Sequence, residues 1–363
     1  MTMKKINCEI ISFSNSAHLQ QLYAGFQLLK AKNIITIKQK TTHEDIFEKN
    51  KPFHLQYSKL YHLKVILNSK LKLYYDVHDS FEIDDKILDS VDYYFKRSFY
   101  KKYIEQKKEK QKIFPLGMNY LVYSNRFDIY GLKRLAFDKK QQKFYNFFQY
   151  SCLSKLFRKK VYIPNIQNCK SLPDFNLNPK ILFMTRTWNP NEFFNKKKAE
   201  EVENINLNRA KCIKLLRKEF GDLFLGGFSH DDYSQKNFKD CLLTDTNFSK
   251  KSKYMKNLSA FSICISTEGL HGSIGWKLGE YVAFSRAIVS EGIKYQLPGN
   301  FECGKNYLEF NCPDECILAS LALFKDKKLR DYLMYNNYLY YNNFLKPDSM
   351  VLNTLLTSLM FSK

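Results

Sequence analysis

Nowhere in the 363 residues is there an apolar run of the roughly 18 to 20 residues that a bilayer-spanning helix needs. The opening MTMKKINCEIISFSNS is too short and too strand-like for a secretory leader, so the expected location is cytoplasmic. The nine cysteines contain no CxxC pair and no metal-ligand spacing. Cys303, Cys312 and Cys316 come nearest, and without a paired His cluster they read as buried thiols, so neither disulfides nor zinc nor any other metal is expected. Also missing are a GxSxG elbow, a Walker loop, an HExxH helix and the kinase signature set. The first strand lacks GxGxxG, which argues against a nicotinamide or flavin enzyme. Acidic side chains are scarce, 36 against 58 lysines and arginines, for a net charge of +22. No RNA- or DNA-binding motif accompanies that excess, and the lysines are scattered among Asn, Ile, Tyr and Phe as in A/T-rich coding. Such a surface suits anionic lipid headgroups, with peripheral attachment at the inner face of the membrane, or a small negatively charged ligand, better than nucleic acid.

What is present suffices for two domains. The length exceeds one usual core, and 44% hydrophobic residues can bury both. The spacing predicts a strand over 6–14, a helix over 18–30 with Leu19, Leu22, Phe26 and Leu29 on one face, and a strand over 34–38, so the chain opens with a β-α-β unit. A strand over 71–79, a helix near 84–90, the run VDYYFKRSF and a last strand and turn over 112–120 continue it, implying a parallel sheet covered on both faces. Residues 129–160 are basic and aromatic with helical character, and 163–179, rich in Pro, Asn and Ser, are the expected hinge. ILFMTRTWNP, a charged helix near 196–220 and DLFLGGF then open a second unit with the same strand-helix grammar.

The most informative stretch is residues 268–291. An apolar strand over 260–267 precedes it, and Gly269, Gly272 and Gly275 let backbone approach a ligand closely. Ser273 is placed to cap a helix whose N-terminal N–H groups favour phosphate. Lys277 and Glu280, on the first turns, offer a cation for a diphosphate and a carboxylate for a ribose diol. The plain alternative is a strand, turn and helix whose glycines only allow tight packing.

KLGEYVAFSRAIVSEGI, residues 277–293, resembles the donor-binding segment in the C-terminal domain of GT-B glycosyltransferases of the group 1 type, where a helix carrying a ribose-binding Glu leads through a small-residue turn into a strand. Residues 304–347 resemble the final stretch of the same family, a loop and strand before two helices. The likeness spans about residues 178–347. It implies an α/β protein of GT-B fold, two Rossmann-like domains facing across a cleft: an acceptor-side domain over 1–170, a nucleotide-sugar domain over 171–345, and a tail over 346–363 returning to the first. It further implies transfer of a sugar from a nucleotide diphosphate donor to a hydroxyl of a glycan or lipid-linked saccharide, as in polysaccharide synthesis, without metal or cofactor. Many members carry a first Glu eight residues before the ribose Glu; here that position is Gly272, and Glu268 is the nearest acid.

Ligands in open α/β sheets collect beyond the carboxyl ends of strands. Arg186, after ILFMT, is the expected diphosphate clamp, with an interdomain ion pair as the alternative. Lys253 lies in a lysine-rich helix whose default is a solvated face. His78 and Asp79 end a strand of the first half; His78 could take the acceptor hydroxyl's proton or bind near the transferred sugar, oriented by Asp76 or Asp79, or be a satisfied structural histidine. His18, where the first helix begins, is an acceptor-side candidate, with capping and packing as alternatives, and YFKRSF, residues 94–99, adds cations and aromatics nearby. Two other functions share the fold and the composition: a basic binding protein without turnover, and a nucleotide-sugar epimerase.

Overall fold

A computed structural model describes residues 5–12, 14–41, 61–151, 153 and 164–362. The parts of the basic segment and hinge at 152 and 154–163 lie outside the described residues, as do residues 1–4 of the N-terminus. The chain divides into two compact units: one runs to Asn168 and regains Tyr295–Gly299 and Asn342–Lys363, and the other comprises Cys169–Lys294 and Asn300–Tyr341.

In the first unit six strands, β1 (Ile6–Ser12), β2 (Ile35–Thr41), β3 (His62–Leu67), β4 (Leu71–Asp76), β5 (Tyr93–Lys96) and β6 (Ile113–Pro115), lie in the order β2-β1-β3-β4-β5-β6. The expected β-α-β opening is present: α1 (Gln20–Ala31) joins β1 to its parallel neighbour β2. The sheet is not wholly parallel, however, because β3 runs antiparallel to both β1 and β4. A tight turn makes this possible. Asn68 and Ser69 both have positive φ, 52° and 57°, the left-handed pair that lets a chain reverse within a few residues. Shorter elements follow: α2 (Asp85–Asp89), whose N-cap Asp84 accepts from the N–H groups of Lys86 and Ile87, then α3 (Lys101–Ile104), α4 (Ile129–Arg134) and α5 (Lys140–Tyr150).

The second unit holds β7 (Ile181–Thr185), α6 (Lys196–Phe220), β8 (Phe224–Phe228), α7 (Asp232–Asn237), α8 (Lys251–Ala260), β9 (Ile263–Ser266), α9 (Trp276–Ala283), β10 (Ala287–Glu291), β11 (Leu308–Phe310), α10 (Pro313–Lys325) and α11 (Lys327–Tyr340). Its five strands, ordered β11-β10-β9-β7-β8, are all parallel. That arrangement explains their near-continuous apolar sequences: with helices on the faces, Ile181, Phe183, Ile263, Ile265, Ala287 and Val289 are buried together against Ile213, Leu216 and Leu323 of the helices. The last helix, α12 (Pro347–Met360), belongs to the first unit and packs on α1. Gly25 is the contact point, since a Cβ there would stand 2.2 Å from the Pro347 carbonyl oxygen. Among the described residues no helix is long and apolar enough to cross a membrane.

Candidate functional site

Chain order runs from β7 to β8 on one side and then to β9 on the other, so the strand order of the second unit reverses at β7. Parallel sheets offer ligands a crevice at such a point, because the loops leaving the two neighbouring strands diverge to opposite faces. Here the gap between the loops is tied by Arg209 of α6. Its Nε donates to Thr267 Oγ1 (2.9 Å), Nη1 to the Arg186 carbonyl (2.9 Å) and Nη2 to the Glu268 carbonyl (2.8 Å). A guanidinium is suited to this, as one rigid plane reaches three acceptors from two strand ends. Burial brings its pKa down to about 10, with Glu291 opposing and Arg186 reinforcing the shift.

Beside this tie lies a shallow hollow, open to solvent and lined by Thr267, Glu268, the 272–275 loop, Leu278 and residues 290–293. It sits over the carboxyl ends of β9 and β10 and at the N-terminus of α9. The loop is held from several directions. The Glu268 N–H donates to Glu291 Oε2 (2.6 Å), the Gly269 N–H to the Ser273 carbonyl (2.8 Å), the His271 N–H to Glu201 Oε1 (2.8 Å) and the Ser273 N–H to the Leu270 carbonyl (3.1 Å). Gly272 has a φ of +63°, which glycine adopts without strain, and a Cβ there would stand 3.3 Å from Glu268 Oε2. Ser273 does not cap the helix as expected: Gly275 is the N-cap of α9 and no side chain bonds to the first turn. Ser273 is instead buried inside the loop it closes.

The carboxylates around the hollow are poised high. Burial raises the Glu291 pKa, with the Glu268 N–H pulling the other way, and burial followed by Glu201 raises that of Glu268 at the rim. Arg186 directly follows β7, exposed, with its guanidinium 3.9 Å over the Trp188 ring. Lys277 lies on the first turn of α9 with its ammonium 4.1 Å over the Tyr254 ring. Burial lowers its pKa to about 8, Glu280 opposing and Lys251 reinforcing the shift. Glu280 is only 3% exposed, and its carboxylate is ion-paired with Lys251 at the start of α8. A ribose would therefore meet Glu280 only by displacing that lysine. Lys253, two residues on, turns outward to Asp245 at 3.7 Å.

The first unit gathers a second group of side chains where β1, β4 and β5 end. His78 is half-buried and its ring is 5.4 Å from that of Tyr61, which lies 4.9 Å from the ring of His18. Both expected carboxylates carry other bonds. Asp76 accepts from the His78 backbone N–H (2.9 Å), the Tyr94 hydroxyl (2.5 Å) and Lys96 Nζ (2.7 Å), while Asp79 is ion-paired with Arg97. His78 Nδ1 accepts from the Ser80 N–H (3.1 Å), so in the neutral ring the proton sits on Nε2 and that edge is a donor. His18 is kept neutral: burial, then Arg97, lowers its pKa to about 4.

Arg209, Lys251 and Tyr61 were not singled out from sequence, while Arg97 and Glu291 lay inside stretches that were, without a role of their own. Each sits in a charged or aromatic run where nothing local marks it, and only the meeting of strand ends does so. Among the described residues no group of three or more His, Cys, Asp or Glu side chains is arranged to hold a metal ion.

This is a two-unit α/β protein with two parallel-rich sheets, the fold class implied by the resemblance of its C-terminal half to GT-B glycosyltransferases. Solved structures are similar to it, among them two described as glycosyltransferases. A glycosyltransferase from Rickettsia africae aligns over 95% of this chain and 82% of its own, with 11% identity and a TM-score of 0.42. HepE from Anabaena, in complex with UDP and glucose, aligns over 97% and 100%, with 10% identity and a TM-score of 0.38. The C-terminal domain of the glycosyl transferase group 1 family protein LpcC from Francisella tularensis aligns over 49% and 95%, with 12% identity and a TM-score of 0.34. No family model and no curated protein matches the chain.

Proposed function

We propose that the protein is a glycosyltransferase that takes a sugar from a nucleotide diphosphate donor bound in the second unit and passes it to a hydroxyl of a glycan or lipid-linked saccharide. The observation that carries this reading is the hollow over β9 and β10, where a rigid glycine loop and the start of α9 lie at the carboxyl ends of parallel strands. An anion placed there would gain from the helix N-terminus, and Arg186 and Lys277, which rest over the Trp188 and Tyr254 rings, would turn to it to neutralise a departing diphosphate without a metal. Glu280 would hold the ribose once Lys251 swings away, and Glu268 and Glu291, both with raised pKa values, would offer the sugar acceptors or a carboxyl O–H. In the first unit, His78 would act through Nε2–H as a hydrogen-bond donor to oxygen. That role fits its ring better than proton abstraction, since its lone-pair nitrogen is already engaged by Ser80.

The test is a panel of nucleoside diphosphates and their sugars, read by thermal shift and by release of free sugar and nucleoside diphosphate. A ligand that binds only the native state raises the melting temperature by mass action. One nucleotide series should do so, with slow donor hydrolysis in the absence of acceptor. No shift by any nucleotide, and no hydrolysis, would sink the proposal; a shift without turnover would leave a binding protein, and interconversion of sugars without acceptor an epimerase.

A further inference from the structure

α5 is built inside out. Its inward face sets amides among tyrosine rings: Asn146, 1% exposed, donates to Asp138 Oδ2 (2.9 Å) and accepts from the Tyr123 hydroxyl (3.3 Å), and Tyr150, packed against Tyr123 with Leu132 and Leu135, donates its hydroxyl to Asn15 Oδ1 (2.7 Å). The outward face carries the phenylalanines, Phe144 at 70% exposure and Phe147 at 43%. Lys140, Phe144 and Phe147 follow the i, i+4, i+7 spacing of one helix face, and exposed Lys143 stands beside them. Phenylalanines turned out while amides turn in depart from the usual arrangement of a surface helix, and the inward hydrogen bonds hold the helix in that orientation.

The neighbouring chain repeats the pattern. The Asp128 N–H donates to the Tyr150 carbonyl (2.9 Å) in extended backbone, and the Asp128 side chain turns in to Arg134 (2.9 Å). Phe127 and Ile129, on either side of that inward-turned Asp128, are both exposed. The exposed charges of this region are Arg126, Lys133, Lys139, Lys140 and Lys143, all cationic. The acids within residues 121–151 are Asp128 and Asp138 alone, and both are engaged inward.

We infer that α5 and the segment 126–129 form a docking surface for an anionic lipid bilayer. Exposed phenylalanine and isoleucine rimmed by lysine is the chemistry of a helix lying in the headgroup layer, where rings enter the acyl boundary and lysine stems keep their ammonium groups among the phosphates. A single-stranded nucleic acid fits less well. Phe144 and Phe148 pack edge to face at 4.7 Å, Phe147 and Phe148 likewise at 5.7 Å, and Ile129 has no π-face on which a base could stack. The surface is independent of the hollow in the second unit.

The experiment is co-sedimentation of the full chain, without nucleotide, with phosphatidylcholine vesicles and with vesicles containing about one third phosphatidylglycerol, at about 0.15 M salt. Wild type should sediment with the anionic vesicles. Phe144→Asn/Phe147→Asn should lower the partition coefficient about tenfold or more, and Lys140→Glu/Lys143→Glu about as much on anionic vesicles alone. All four side chains are outside the packed core, so both double variants should melt with wild type. Failure of the wild type to sediment, unchanged sedimentation of the phenylalanine variant, or loss in that variant of oligouridylate binding but not of vesicle binding would each overturn the inference.

Discussion

Glu280→Ala removes a carboxylate that lies between two lysines under the first turn of α9. The side chain of Glu280 is 3% exposed and that of Lys251 is 34% exposed, so the alanine variant leaves one half-sheltered ammonium without its anion. It also takes from Lys277 the main group that supports its charge. Deleting one member of a buried pair costs about 3–5 kcal/mol, because the surviving charge remains desolvated. Solvent at Lys251 screens that charge, which lowers the expectation to about 2 kcal/mol. Urea melts should show this loss for Glu280→Ala, less for Glu280→Gln, and a Lys251→Ala/Glu280→Ala double variant milder than the sum of its parts by about 1 kcal/mol or more. A Glu280→Ala protein within 0.5 kcal/mol of wild type would refute the buried-pair argument. The same pair yields a binding test. If a ribose must displace Lys251, then Lys251→Ala presents a ready carboxylate and nucleotide should bind it more tightly, whereas Glu280→Gln should lose affinity by about 1–3 kcal/mol. Weaker binding by Lys251→Ala, measured calorimetrically, would show that the lysine serves the ligand directly.

Other consequences follow from the same geometry. The Lys277 pKa is depressed to about 8 in the folded protein, so between pH 8 and the unfolded value near 10.5 the unfolded chain binds more protons, and stability rises with pH; Lys277→Met should remove this rise, on the order of 2 kcal/mol, from melts across that window. If the two proteins show parallel profiles, the ammonium is not desolvated. Arg209→Lys cannot bridge Thr267, Arg186 and Glu268 together, so it should cost about 2–3 kcal/mol in stability and weaken nucleotide binding, while a variant equal to wild type in both would remove Arg209 from the frame of the hollow. For His78, a donor role predicts that His78→Gln keeps more turnover than His78→Ala, the latter falling by about 100-fold with nucleotide affinity unchanged; equal losses would favour proton abstraction, and no loss a structural histidine.

The parallel sheet of the second unit was legible because burial on both faces writes itself into the chain as short β-branched runs such as AFSICIST. The first sheet was less so. HLKVIL alternates more weakly, and its pairing with β4 depends on Asn68 and Ser69 both accepting left-handed backbone, which Asn often does and Ser seldom does. Ser285 repeats the difficulty where β10 is approached: it has a φ of 56° in the small-residue turn of the family-like segment, at a place that glycine would have announced.

At the site, sequence separates residues that can bear a charge from those that cannot, but it does not say where the charge is spent. Lys251 and Lys253 are two residues apart in one lysine-rich helix, yet the first turns to the buried Glu280 and the second to Asp245 at the surface. Helical geometry forces that divergence, because positions i and i+2 lie on different faces. Arg209 is one cation among many on a 25-residue helix, and it matters because two parallel strands end within reach of one guanidinium. His78 carries the same lesson to its tautomer. A single backbone N–H, that of Ser80, decides which ring nitrogen holds the proton, and with it whether the imidazole at the strand end gives a hydrogen bond or takes one.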